Sequence, residues 1–515
     1  MTHVARSSLI IAIFFGMDKI LGFIRQVLVA RQFGLSYEID VFNAANNIPD
    51  LLSALISGGA LGVALIPVIS EYLDQRGRPA AWGLFSRILN LAFLVTAAIS
   101  IVIIIFADPM VRYLIAPGFP DAQKSLTIEL MRLDLVAILI FSISGLVMAG
   151  LQANQHFLFP AMAPGLYNIG QIFGIAILAP EQGISIGSIQ LPAYGFGIHG
   201  LVYGVIIGAL LHLGIQVPGL LRYRFRWTPA IDLKNPGVVQ VLRLLGPRVL
   251  TMFFLQLFFI ARDNLASRLG EGAVTALNYG WFIMQVPETL IGSAIAIAIL
   301  PTLSELYARQ QMDQFRLTIH NAIRTLLALT IPAAALLSVT LRPLVNSIFG
   351  FDPAGVELVV WATRAYLLGL MGHSLLETAA RSFYAQQNAR TPLFAAAINA
   401  GVYIVLAISL SPLMGAPGIA LANTLAFTSE ALLLLFLLQR KLPGLLDVGK
   451  PLLRVCLASA LATGVAFLLL QLPLPELISA IVALVVGGLV LLPFIWSEVK
   501  DRKSTRLNSS HVSQS

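Results

Sequence analysis

The sequence predicts an all-α polytopic membrane protein of about fourteen transmembrane helices, built as two pseudo-symmetric six-helix lobes followed by two further helices. Three observations predict it. The 515 residues are 57% hydrophobic and only 11% charged, with a mean hydropathy of +0.85, too little polar surface to cover a soluble globule of this length. Apolar runs long enough to span a bilayer recur along the whole chain. The two halves also repeat. Leu151-Gln152-Ala153-Asn154-Gln155 leading to Pro160 is echoed by Tyr384-Ala385-Gln386-Gln387-Asn388 leading to Pro392, and Pro67-Val68-Ile69-Ser70-Glu71 returns as Pro301-Thr302-Leu303-Ser304-Glu305 at nearly the same offset. A duplicated membrane unit is the usual trace of a transporter whose halves rock about a central site.

The elements follow in order. Span 9–30 is apolar but carries Asp18, Lys19 and Arg25, so charge lies inside it. Span 44–69 opens on Asn46, Asn47 and Pro49 and contains Gly58 and Gly59, residue types that let membrane helices bend or approach closely. Apolar runs at 88–106, 130–151, 160–178 and 195–217, with Pro164 and Gly208 among them, complete the first lobe, 1–220. After a basic linker the second lobe, 221–440, holds 239–261, 273–300, 322–341, 359–379, 393–410 and 418–438. Spans 453–470 and 477–496, within 441–500, have no counterpart in the repeat. The polar segment 501–515 reads as a disordered or non-native tail outside the fold.

Lys and Arg then set the orientation, because cytoplasmic loops retain them. Arg76, Arg78 and Arg87 follow span two; Arg222, Arg224, Arg226 and Lys234 follow span six; Arg440, Lys441, Lys450 and Arg454 follow span twelve. All fall on one side, and the alternate loops carry Glu181 and Glu476 instead, which places both termini in the cytoplasm. The net charge of +8 sits in these short clusters, so topology accounts for it and nucleic acid is not expected as a partner. The start of the chain has no small-residue cleavage pattern and reads as no signal peptide. The single cysteine, Cys456, excludes an internal disulfide. His156, His199, His212, His320 and His373 have no metal spacing, and neither a nucleophile motif nor a phosphate-binding glycine loop occurs. The chain reads as a transporter that needs no cofactor and draws on ion gradients, membrane potential or product removal.

Charges inside the spans mark the candidate site, since an arginine at mid-membrane costs about 2.5 to 3.5 kcal/mol on insertion scales and must face a cavity or a partner. Arg25 on span one and Arg262 on span seven occupy related positions in the repeat. Two facing guanidinium groups would clamp an anion, because the planar fork gives paired, charge-assisted hydrogen bonds to phosphate. The alternative is internal neutralisation, Asp18 with Lys19 and Arg262 with Asp263. Asp40 either caps the second helix or takes part in transport. Asn47 either lines a cavity or bonds helix to helix. Asp263, Asn399 and Thr424 supply oxygens of the kind a small cation prefers, or serve as packing polar groups.

Leu21-Gly22-Phe23 with Arg25, Ala30-Arg31, Phe33-Gly34, Asp40, Ile48-Pro49-Asp50-Leu51-Leu52, Ala116-Pro117-Gly118-Phe119, Leu300-Pro301-Thr302-Leu303-Ser304 and Phe383-Tyr384 through Thr391-Pro392 form a set. Together they resemble the MurJ (MviN) family of lipid II flippases, within the multidrug/oligosaccharidyl-lipid/polysaccharide exporter superfamily. The resemblance implies two six-helix lobes around a cationic cavity and two last helices that form a groove for a polyprenyl tail. It implies a substrate, the undecaprenyl diphosphate-linked peptidoglycan precursor, moved from the inner to the outer leaflet of the bacterial plasma membrane by alternating access. By the same resemblance Arg25, Lys19 and Asp40 match the family's cavity positions, and Asp263, Asn399 and Thr424 its sodium site; Arg262 and Asn47 join the substrate-binding candidates from their charge and polarity inside the spans. Membrane lipids and cell-wall synthesis proteins are the implied partners. The chain departs from the pattern at Ser53 and Phe282, where arginines are usual, at Gly58-Gly59-Ala60 for Glu-Gly-Ala, and at Tyr403 for an acid. An exporter of another lipid-linked oligosaccharide and a non-transporting cell-wall scaffold are the alternative readings.

Overall fold

The computed structural model describes residues 3–56, 60–183, 185–186, 189–190 and 192–512. The Gly58-Gly59 pair and the last three residues of the polar tail lie outside the described residues. The chain partitions into two compact units, Met1–Gly272 and Ala273–Ser515.

The first unit contains α1 (His3–Phe33), α2 (Tyr37–Ile56), α3 (Ala60–Gln75), α4 (Gly77–Pro109), α5 (Asp121–Ala153), α6 (Leu158–Phe173), α7 (Ile198–Gly214), the short α8 (Val217–Arg222) and α9 (Pro236–Ala266). Residues 185–186 and 189–190 form a two-stranded antiparallel ladder ahead of α7. The core lies among α3, α4, α5 and α9, where Leu65, Ile69, Phe85, Leu151, Val238 and Val241 are buried together. The helix α9, expected from the sequence to open the second lobe, packs within this unit on α2 and α3. Between α6 and α7 the backbones nearly touch. A side chain at Gly170 would collide with the backbone of Gly208, and one at Gly174 with that of Gly204, the small-residue packing that replaces hydrophobic drive inside lipid.

The second unit contains α10 (Ala273–Pro287), α11 (Ala294–Ala308), α12 (Met312–Phe349), α13 (Pro353–Leu367), α14 (Leu370–Ala385), α15 (Arg390–Met414), α16 (Ala416–Lys441), α17 (Gly449–Leu469) and α18 (Glu476–Val512). Its core is built from Leu303, Phe315, Ile323, Phe383, Leu434 and Leu438. A second cluster, Leu336 with Ala458, Ala462, Ala466, Ala483 and Leu491, seats α17 and α18 on α12. The backbone of α18 continues as helix through most of the polar segment set apart in the sequence.

Eleven helices or helix pairs among the described residues are long and apolar enough to cross a membrane. The other three predicted spans correspond to α1, to α2 with α3, and to α9, the elements that carry Arg25, Asp40 with Asn47, and Arg262 with Asp263. The repeat is visible in the backbone. At the end of α5, Gln155 takes φ 59° and the N–H of His156 donates to Leu151 O; at the end of α14, Gln387 takes φ 58° and the N–H of Asn388 donates to Phe383 O. The duplicated sequence motif is a duplicated left-handed helix exit. Large apolar side chains such as Ile105, Phe106, Leu413 and Leu457 are more than half exposed or nearly so, the outward apolar surface expected of lipid-facing helices.

Candidate functional site

Arg25 sits on the third quarter of α1, half-buried, and has no hydrogen-bond or ion-pair partner among the described residues. Its neighbours are polar. Asp50 on α2 and the Tyr167 hydroxyl on α6 lie within its electrostatic reach, and Asp134 on α5 lies within reach of both. Asp50 is exposed, whereas Asp134 is 4% exposed and its Oδ1 has no hydrogen-bond partner in the structure. The guanidinium therefore feels the Asp50 carboxylate without being hydrogen-bonded or ion-paired to it.

One turn and a half earlier on α1, Lys19 lies 3.7 Å from Asp18 and 63% exposed, with its ammonium over the Phe15 ring. Asp18 in turn accepts from Asn168 Nδ2 at 2.8 Å. The expected neutralisation of Lys19 by Asp18 is present, yet the pair is loose and open.

Asp40, 2% exposed, stands in the first turn of α2 and accepts from the backbone N–H of Gly272 at 2.6 Å. Glu271 accepts the N–H of Tyr37 at 2.8 Å. The segment after α9 and the start of α2 thus hold each other, and Gly272 is needed there because its φ is +82° and Leu35 leaves no room for a Cβ. Asn47 donates to Asp263 Oδ2 at 2.9 Å, and Arg262 Nε donates to Asp263 Oδ1 at 2.7 Å. Arg262 and Asp263 are both almost fully buried. The two-arginine clamp expected from the sequence is not what this conformation presents: Arg262 is turned onto its neighbouring carboxylate, because a buried guanidinium without a bound anion must be neutralised by the protein. Asp263, expected as a cation ligand, spends its two oxygens on Arg262 and Asn47.

In the second unit, Thr424 donates to the Ala365 carbonyl at 2.6 Å, and Gly369 packs directly on it. Asn399 Nδ2 donates to Glu430 Oε2 at 2.6 Å, both residues buried. Asn399 Oδ1 is buried with no hydrogen-bond partner in the structure. Thr424 therefore serves helix packing here, while Asn399 is paired with an acid.

Sequence reasoning passed over three carboxylates, Asp50, Asp134 and Glu430. The signal was present for each, an acid inside an apolar run where charge is costly. The histidines stay structural. His212 bonds Ser144 and Gln216 in the core of the first unit, His373 bonds Asn423, and His156, in the turn between α5 and α6, is held below the usual histidine range by burial and by the charge of Arg222.

Polytopic units with apolar exteriors, an internal duplication and an uncommitted arginine near an in-span acid define a membrane transporter rather than an enzyme. The family model for "Lipid II flippase MurJ" matches residues 29–488. The lipid II flippase MurJ of Burkholderia cenocepacia is 30% identical over 448 residues, covering 85% of this chain and 84% of its own. A probable lipid II flippase MurJ of Rhizobium meliloti is 27% identical over 424 residues, 81% and 77% of the two chains. Among solved structures, a lipid II flippase MurJ in an inward closed conformation superposes with a TM-score of 0.79 at 24% identity, covering 96% of this chain and all of that one. An inward-facing multidrug resistance MATE family transporter of the MOP superfamily gives 0.70 at 15% identity over 84% of this chain and 96% of its own, a likeness of fold. The chain belongs to the lipid II flippase MurJ family.

Proposed function

We propose that this protein moves lipid II, an undecaprenyl diphosphate-linked peptidoglycan precursor, from the inner to the outer leaflet of the bacterial plasma membrane by alternating access. Arg25 carries the reading. A half-buried guanidinium inside a membrane helix, with no ion pair among the described residues, is costly unless it serves a guest of opposite charge, and a diphosphate offers the oxygens its fork matches. Lys19, on the same helix, adds an exposed second cation. Asp40 and Asn47 act as positioning residues that tie α2 to α9 and its following turn, and Arg262 becomes available only when Asp263 releases it. Of the sodium ligands that the resemblance implies, Asp263 belongs to the first unit and Asn399 and Thr424 to the second, where Glu430 adds a carboxylate beside Asn399. Both termini face the cytoplasm on this reading, supported by the arginine-rich segments after the even-numbered spans. Membrane lipids surround the chain, and cell-wall synthesis proteins are its proposed partners.

One observation favours a second substrate of the same class. Ser53 and Phe282 stand where family arginines are usual, so another lipid-linked oligosaccharide with a smaller anionic demand fits the same lobes. Both readings are tested by one pair of assays: rescue of a flippase-depleted bacterium, and flipping of purified lipid II in proteoliposomes. Arg25→Ala is expected to abolish rescue and flipping while inserting normally. Full activity of that variant would overturn the role of Arg25; a wild-type chain that neither rescues nor flips lipid II would redirect the substrate or leave a scaffold.

A further inference from the structure

A cavity of about 450 Å³ opens in the second unit where α12 and α13 meet the last two helices. It adjoins another of about 350 Å³ that shares Arg342 and Glu476. Both fall within the volume range of about 300–1,000 Å³ typical of small-molecule sites. Most of the lining is apolar, with Phe467 and Leu470 at the end of α17 beside Val339, Pro343 and Leu474; the polar groups set into it are Arg342 from α12, Arg364 from α13, and Glu476 and Ser479 from α18. The exposed leucines of α17, Leu457, Leu461 and Leu468, give the helix an apolar outer surface.

Two features point to a ligand. Ser479 is 4% exposed, lines the cavity, and its hydroxyl has no hydrogen-bond partner in the structure. Thr340 on α12 and Ser459 on α17 each bond a carbonyl one turn back, whereas Ser479, like Thr463 on α17, does not. Arg364 is half-buried, its Nε donates to the Ser338 carbonyl at 3.0 Å, and its guanidinium lies over the Trp361 ring. Its two terminal nitrogens have no protein acceptor among the described residues. On the facing side Arg342 is matched by Glu357 at 2.7 Å, while Glu476 accepts only from the neutral Asn346, at 2.6 Å. Among the described residues one cation and one anion, Arg364 and Glu476, are thus left without an ion-pair partner in a single, mostly apolar cavity.

We propose that this cavity binds the head group of a zwitterionic phospholipid, phosphate against Arg364 and Ser479, primary ammonium against Glu476, with the acyl chains along α17. With Arg342 matched by Glu357 outside the lining, the charges left to a guest are one cation and one anion, which fits a zwitterion and disfavours a purely anionic diphosphate. The site is separate from Arg25 and does not depend on what the protein transports.

The test is native mass spectrometry of the full-length protein in detergent, titrated separately with dioleoyl phosphatidylethanolamine, dioleoyl phosphatidylglycerol, undecaprenyl phosphate and dioleoylglycerol. One phosphatidylethanolamine adduct is expected to form most tightly, and dioleoylglycerol to form none. Arg364→Gln should weaken both phospholipid adducts about tenfold, the loss of one charge-assisted hydrogen bond. Glu476→Gln should weaken only the phosphatidylethanolamine adduct. Equal binding by all variants, preference for phosphatidylglycerol or undecaprenyl phosphate, or binding of dioleoylglycerol would each overturn the proposal. Should Arg364→Gln fail to fold, the head-group selectivity of Glu476→Gln and the effect of Ser479→Ala decide the matter alone.

Discussion

Arg25 and Arg262 are chemically the same and physically opposite. Arg25 keeps its guanidinium uncommitted on α1, whereas Arg262 is buried against Asp263 with Asn47 completing the carboxylate's hydrogen bonds. Breaking a buried pair from one side leaves the other charge uncompensated. Asp263→Asn is therefore expected to destabilise the protein by about 3 to 5 kcal/mol, read as a lower melting temperature in detergent. The double variant Arg262→Leu/Asp263→Asn should recover most of that loss. A single variant as stable as the parent would mean that the pair is water-exposed in solution.

At the scale of elements, the two halves share a helix exit that costs both of them strain. Gln155 and Gln387 each hold φ near +60°, a region L side chains other than Asn and Asp rarely enter. Gln155→Gly and Gln387→Gly are expected to stabilise by up to about 1 kcal/mol each, and to add in the double variant because the sites lie in separate units. Loss of stability in either would show that the glutamine side chain holds the turn rather than tolerates it. Close helix contact works in the other direction. α6 and α7 approach through Gly170, Gly174, Gly204 and Gly208, so their register depends on residues that contribute no side chain at all.

For the whole molecule, energy coupling is the property to test. Moving one net negative charge outward across an inside-negative membrane is favourable by about 2.3 kcal/mol per 100 mV. Lipid II flipping in proteoliposomes should therefore speed up when an inside-negative potential is imposed and slow when it is dissipated. A rate indifferent to potential would place the coupling on an ion instead, with Asn399 and Glu430 the first residues to examine. Much of this was legible beforehand. Long apolar runs, basic segments and the duplicated motifs are one-dimensional signals, so spans, repeat and family could be read from residue order. The acids Asp50, Asp134 and Glu430 carried an equally plain signal, charge in an apolar run, but their significance depends on neighbours from other helices.

Residue order by itself determined the membrane class, the duplication and the family resemblance, and marked Arg25 as a charge inside a span, because hydrophobic length and charge placement act locally along the chain. Which charges are spent and which stay open was decided only by the tertiary structure. Pairing depends on distances between helices far apart in sequence: Asn47 reaches Asp263, Asn399 reaches Glu430, and Arg364 pairs with no acid among the described residues.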